Sequence, residues 1–254
     1  MSFAGRVVCI TGASSGLGWA MAREFARQGA KVGVLARREE RLRQLCDEVR
    51  AATVTAEYAV ADAADRTAVH AGLKSLADRL GPCDVLVANA GVGAHNTATD
   101  LNVPAAEQVI RTNLIAPMYA FEAVLPDMLR RRSGHLVGVS SMAAFKGLPT
   151  AAAYSASKAG LNAYLESIRI TLRRKKIAVT TICPGFVKTE MTANTPWMPW
   201  VIEADVAARK MVRAIARRRK VYYFPRRMRV LMRVTGWLPD WAMAKAIPDK
   251  RPIV

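Results

Sequence analysis

Short apolar runs rich in β-branched residues alternate along this chain with longer stretches of helical periodicity, and no other feature restricts its fold so tightly. The runs read RVVCIT from Arg6, KVGVLA from Lys31, CDVLVANA from Cys83, GHLVGVSS from Gly134 and IAVTTIC from Ile177. They are apolar at almost every position, as suits strands covered on both faces, and the intervening helices supply the cover. Further strands are expected over Thr53–Val60 and Lys220–Phe224.

The pattern implies an α/β fold, a Rossmann-type doubly wound parallel sheet of about six to seven strands with helices on both faces and ligands at the C-terminal strand ends. With 254 residues, 52% of them hydrophobic, the chain can bury a sizeable core. No Gly/Ser-rich or Pro-rich linker divides it, so one domain is expected over residues 1–223, with a basic amphipathic extension over residues 224–254. No apolar run has the length of a membrane-spanning helix, and a first strand near Arg6 leaves no room for a signal peptide. A cytoplasmic protein is the expectation.

Cys9, Cys46, Cys83 and Cys183 have neither metal-ligand spacing nor disulfide density, and His70, His95 and His135 are scattered. Reduced core thiols and no metal site are expected.

Several motifs sit at strand ends. TGASSGLG follows the first strand and places Gly12, Gly16 and Gly18 at a turn leading into a helix at Leu17–Arg27. Such glycines let the backbone approach a pyrophosphate, which the free N–H groups of a helix N-terminus then hold. The spacing is G-x-x-x-G-x-G, and no Lys-Ser/Thr pair follows as a P-loop would require. In YSASK, Tyr154 and Lys158 lie one helical turn apart and share a face. Ser140 and Ser155 are decoys for hydrolase chemistry, because no histidine stands in a matching motif.

The ordered set resembles the short-chain dehydrogenase/reductase family from about Arg6 to Thr192. TGASSGLG is similar to its cofactor loop, including Ser14, Ser15 and Leu17. ANAG, with Asn89, Ala90 and Gly91, is similar to the family's N-N-A-G turn, alanine replacing the first asparagine. TNL supplies Asn113, SSMAAF supplies Ser141, and YSASK matches Y-x-x-x-K. PGFVKTEM, with Pro184, Gly185, Val187 and Thr189, resembles P-G-x-x-x-T. The resemblance implies hydride transfer between a nicotinamide and a carbonyl or alcohol, with Tyr154 as proton donor or acceptor and Ser141 bonded to the substrate oxygen. It implies that Lys158 holds the nicotinamide ribose and that Asn113 holds a helix distortion and a water serving Lys158. A nearby ammonium should also lower the phenol's usual pKa of about 10.

The second strand ends in LARREER, where an NAD-preferring relative would show an acid. Here Ala36 precedes Arg37 and Arg38, and a guanidinium attracts a 2′-phosphate through charge-assisted hydrogen bonds. NADP(H) is therefore expected, with Ser14 adding a hydroxyl; the alternative is that the arginines merely begin a solvated helix. Asp62 resembles the family residue that meets the adenine amino group. EMTANTPWMPWVIEA, Glu190–Ala204, carries Met191, Trp197, Met198 and Trp200 and suits either an apolar substrate or ordinary loop packing. A 3-oxoacyl-thioester reductase and a non-catalytic dinucleotide-binding scaffold at a membrane surface are the alternatives.

The net charge is +18, from 38 Lys+Arg against 20 Asp+Glu. No nucleic-acid motif accompanies it, so no nucleic-acid partner is expected. Met228, Leu231, Met232 and Leu238 can share one face of a tail helix, with Trp237 and Trp241 near its end and Arg226, Arg227, Arg229 and Arg233 on the flank. That stripe can pack on the enzyme body or lie on an anionic membrane. The resemblance also implies a homodimer or homotetramer formed through helices at Val103–Arg131 and Ala152–Arg174, the latter rich in small residues such as Ala156, Ala159, Gly160 and Ala163.

Overall fold

The computed structural model describes the chain except residues 53, 95–100, 194, 196, 197, 229, 231–236, 238, 240 and 243–254. In chain order the strands are β1 (Val7–Thr11), β2 (Lys31–Ala36), β3 (Ala56–Val60), β4 (Val85–Ala88), β5 (Gly134–Val139), β6 (Ile177–Pro184), β7 (Val187–Lys188), β8 (Ile202–Glu203) and β9 (Val221–Phe224). The helices are α1 (Gly16–Arg27), α2 (Glu39–Arg50), α3 (Arg66–Leu80), α4 (Val103–Ile110), α5 (Ala116–Arg131), α6 (Ala152–Leu172) and α7 (Ala204–Ala216). Seven strands form one sheet in the order β3-β2-β1-β4-β5-β6-β9, and each pairing within it is parallel.

Side chains of a strand point alternately to opposite faces. Val8 and Ile10 of β1 and Val85 and Val87 of β4 therefore join a core with α1, α2 and α7. Val7 and Cys9, with Leu86 and Ala88, join the other core, built by α3, α5 and α6. Both layers need apolar residues at every strand position, which is why the runs do not alternate. All four cysteines are buried free thiols, and burial pushes Cys46 up to about 11 and Cys183 up to about 12. Among the described residues no cluster of three or more metal-ligating side chains occurs, and no helix is long and apolar enough to cross a membrane.

Strand order reverses between β1 and β4, so the chain leaves their C-terminal ends in opposite directions and opens a crevice there. Beyond β6, the short ribbon β7–β8 pairs Val187 with Ile202 and Lys188 with Glu203, closing the base of the excursion at residues 189–201.

Three expectations are adjusted. The third strand begins at Ala56 rather than Thr53. The helix expected over Val103–Arg131 is interrupted by a π-helical turn at Arg111–Ile115 that carries Asn113. In the tail, Met228 is buried with Met142 and Cys183, whereas Val230, Trp237 and Trp241 are exposed. The first turn of the tail thus packs on the enzyme body. Arg229, Leu231, Met232, Arg233 and Leu238, needed to judge the amphipathic stripe, lie outside the described residues, as do His95 and Trp197.

At the opposite end of the sheet from the crevice, His135 is fully buried; its Nε2 lies 2.8 Å from Thr180 Oγ1 and its Nδ1 has no partner among the described residues. Burial first, and the Arg218 charge second, hold its pKa down at about 3. The unfolded chain takes up a proton near the ordinary pKa of about 6.5, so this histidine adds no pH-dependent cost above that pH. As pH falls from about 6.5 toward 3, stability is lost by an amount on the order of 5 kcal/mol from this one group. His135→Gln is expected to make the pH dependence of the unfolding free energy shallower across that window; an unchanged slope would show that the imidazole finds a proton partner.

Candidate active site

The crevice is a cleft of about 590 Å³. It begins at the turn between β1 and α1. Gly12 has a φ of +66°, and a methyl group there would lie 2.6 Å from the Ala90 Cα. Gly16 also has a left-handed φ, +55°. Ser15 caps α1 without any side-chain hydrogen bond, so the first N–H groups of the helix are left for a ligand. The turn is held open from β4: Thr11 Oγ1 accepts the N–H groups of Asn89 at 3.1 Å and Ala90 at 3.2 Å. Asn89 Nδ2 donates to the carbonyls of Thr11 and Gly12, both at 3.1 Å.

One end of the cleft is charged. Arg38 Nε donates to Ser14 Oγ at 3.1 Å, and its Nη1 lies 3.0 Å from Glu190 Oε2. Arg37 Nη1 stands 3.7 Å from Asp62 Oδ2, while Asp62 Oδ1 accepts the Ala64 N–H at 2.9 Å. The sequence leaves open which arginine Ser14 assists; in the fold Ser14 joins Arg38.

The other end carries Ser141, Tyr154 and Lys158. Ser141 follows β5 and accepts the Ala143 N–H at 3.1 Å, and its hydroxyl is within hydrogen-bonding reach of the Tyr154 phenol. Lys158 is buried, and its Nζ donates to the Val139 carbonyl at 2.9 Å and lies 5.8 Å from the Tyr154 ring centre. Burial lowers the Lys158 pKa to about 8, offset in part by Cys183. Tyr154 shifts up: loss of solvent raises its pKa, and the hydrogen bond with Ser141 pulls it partly back. In this site desolvation of the phenol outweighs the depression expected from Lys158.

Asn113 lies behind the cleft, fully buried. Its Oδ1 accepts the Val92 N–H at 2.8 Å, and its Nδ2 donates to the Val92 carbonyl at 2.9 Å and to Ser157 Oγ at 3.1 Å. Ser157 in turn donates to the Tyr154 carbonyl at 2.7 Å. The π-helical turn therefore aims Asn113 so that it ties the segment after β4 to the helix bearing Tyr154 and Lys158. Gly91 lies against both ends of this link: a methyl group there would meet Asn113 Oδ1 at 3.2 Å and Lys158 Nζ at 3.5 Å.

Pro184, Gly185, Val187 and Thr189 form the remaining wall. Of the catalytic and cofactor-binding residues named from the sequence, Gly18 and Asn113 alone do not line the cleft. Gly18 is a packing position, where a methyl group would lie 2.4 Å from the Gly12 carbonyl oxygen. Sequence reading missed Thr11 as the stitch between β1 and β4, although it opens the TGASSGLG run. It also missed Ser157 and Glu190, whose partners are distant in sequence.

These residues fit a nicotinamide dinucleotide. The glycine turn and the uncapped helix end match a pyrophosphate, and the cleft joins that turn to both the arginines and the serine, tyrosine and lysine cluster.

The model of the short chain dehydrogenase family matches residues 6–199. A Myxococcus xanthus protein named only as an oxidoreductase is 42% identical over 236 residues, covering 92% of this chain and 93% of its own. Ketoacyl reductase HetN of Nostoc sp. is 34% identical over 83% of this chain and 75% of its own length. A crystal structure of an actinorhodin polyketide ketoreductase variant with NADPH superposes with a TM-score of 0.80 at 28% identity, covering 86% of this chain and 95% of the other.

Proposed function

The chain belongs to the short-chain dehydrogenase family, and from that premise we propose that this oxidoreductase uses NADP(H) to interconvert a carbonyl and an alcohol on an apolar substrate, Tyr154 carrying the proton. The observation that carries the proposal is a single cleft lined by Arg38 and Ser14 at one end and by Ser141, Tyr154 and Lys158 at the other.

A bound nicotinamide supplies or accepts the hydride. The protein's part is to bind, orient and move the proton. Gly12, Gly16 and the N-terminus of α1 would hold the pyrophosphate, Arg38 and Ser14 the 2′-phosphate, and Lys158 the ribose. Ser141 donates its hydroxyl proton to the substrate oxygen, fixing it beside the phenol and stabilising negative charge as it develops. The phenol of Tyr154 is protonated at neutral pH, the form that reduction of a carbonyl requires. Asn113 and Ser157 keep Lys158 and Tyr154 in register and act as positioning residues. Met191, Val92 and Val187 along the wall support an apolar substrate.

A panel of carbonyls and alcohols with purified protein and both cofactors tests this reading, and turnover of none of them would remove it. The second reading, a 3-oxoacyl-thioester reductase, is supported by the likeness to the Nostoc ketoacyl reductase. Thioesters in the same panel separate the two, by higher kcat/KM on the thioester than on simple ketones.

For the cofactor, combining Ala36→Asp with Arg38→Leu removes a charge-assisted contact and adds a repulsion. The ratio of kcat/KM for NADPH over NADH is expected to fall by at least about tenfold, the equivalent of roughly 1–2 kcal/mol. Equal kcat/KM values for the two cofactors in the unmodified enzyme would contradict the preference.

A further inference from the structure

Two arginines following β2 appear in the sequence as an unopposed pair of positive charges. In the fold each faces an acid: Arg37 meets Asp62 at 3.7 Å, and Arg38 meets Glu190 at 3.0 Å. The rim that a 2′-phosphate would approach is therefore close to neutral. Asp62 belongs to the adenine side of the cleft, but Glu190 comes from the other wall, 152 residues away, where the chain leaves β7 toward the substrate side.

We propose that Glu190 is a specificity-determining residue that competes with the 2′-phosphate for Arg38. This deepens the NADP(H) reading and rests on it. A dinucleotide bearing the phosphate must displace the carboxylate from the guanidinium, whereas one lacking it leaves the pair intact. The wild-type enzyme thus discriminates between the two cofactors less than its arginine alone would allow.

The geometry suits such an exchange. Glu190 opens a short turn, Glu190–Thr192, fastened by reciprocal capping between Thr189 and Thr192, with the Thr189 N–H donating to Thr192 Oγ1 at 3.0 Å. The turn is also seated on the pyrophosphate loop, since a methyl group at Gly16 would lie 3.1 Å from Thr189 Cγ2. The backbone is held and the carboxylate is not: the Glu190 side chain is 57% exposed. Displacement therefore needs only side-chain rotation into water, where the charge is readily solvated. Meanwhile the hydrogen bond from Arg38 Nε to Ser14 keeps the guanidinium oriented toward the cleft.

The test is calorimetric titration of the whole protein with 2′,5′-ADP and with 5′-AMP, which requires no turnover. Glu190→Gln and Glu190→Ala are compared with wild type, the alanine variant guarding against a new amide contact to the phosphate. Both variants are expected to bind 2′,5′-ADP about two- to fivefold more tightly, the range of an exposed ion pair, with 5′-AMP affinity unchanged. Unchanged or weaker 2′,5′-ADP binding in both variants would overturn the proposal and make Glu190 a residue that merely orders Arg38. If wild type binds 5′-AMP as tightly as 2′,5′-ADP, the role of Arg38 itself is wrong and the proposal falls with it. The two failures are thereby distinguished.

Discussion

Tyr154→Phe is expected to lower kcat on the substrate identified by the panel by about 10²–10⁴-fold, the range for losing a positioned acid, while cofactor affinity and the unfolding midpoint stay near wild type. The substitution removes one oxygen and leaves the ring. Among the described residues the phenol's oxygen holds no helix or sheet in place; its neighbour is the Ser141 hydroxyl. Its carbonyl, which accepts from Ser157, is untouched. Stopped-flow and steady-state rates with cofactor titrations separate the effects. Near-normal kcat in the variant would remove Tyr154 from the proton path and leave Ser141 as the candidate donor. A loss of cofactor binding of similar size would instead mean that the ring's hydroxyl organises the site before any proton moves.

The second large effect concerns the turn itself. Gly12→Ala places a methyl group 2.6 Å from the Ala90 Cα and 2.9 Å from its nitrogen, both backbone atoms, at a φ of +66°. The left-handed conformation costs an alanine roughly 1–2 kcal/mol, and overpacking against backbone adds about 1–3 kcal/mol more. A net destabilisation of about 3 kcal/mol, or a fall in Tm of about 6–12 °C, is expected for a chain of this size. The same methyl group pushes apart the β1 and β4 ends that Thr11 and Asn89 hold together, so affinity for dinucleotides should drop as well. Differential scanning calorimetry and cofactor titration measure the two effects. An unchanged midpoint would show that the Ala90 segment moves aside at little cost.

The strands were legible because a sheet buried on both faces leaves no choice of residue along them: Val7, Val8, Cys9 and Ile10 are all needed, two for each core. The positions that line the cleft were legible for a different reason. They lie at strand ends or at fixed helical spacing, so local sequence carries them, as with Tyr154 and Lys158. What local sequence does not carry is pairing between distant segments. The bond from Asn113 to Ser157, the Val139 carbonyl under Lys158, and Glu190 opposite Arg38 each depend on two elements meeting in the fold. The sign of the Tyr154 shift was missed for the same reason, because it depends on how much solvent the packed site excludes. The π-helical turn at Arg111–Ile115 was equally hidden, since the apolar periodicity on either side reads as one helix.

The two-residue ribbon β7–β8 has a consequence for how such a chain can diversify. Because Val187 pairs with Ile202 and Lys188 with Glu203, whatever lies between them starts and finishes at the same place beside the sheet. The intervening residues behave as a cassette. Loop-closure entropy grows only with the logarithm of length, so inserting or deleting several residues there alters stability by about 0.6 kcal/mol per doubling. The register of β6 against β9, and with it the wall at Pro184 and Gly185, is set on the far side of the ribbon and does not feel the change. The segment whose first residues, Thr189–Thr192, line the cleft can thus be rewritten while Ser141, Tyr154 and Lys158, all upstream of the ribbon, keep their places.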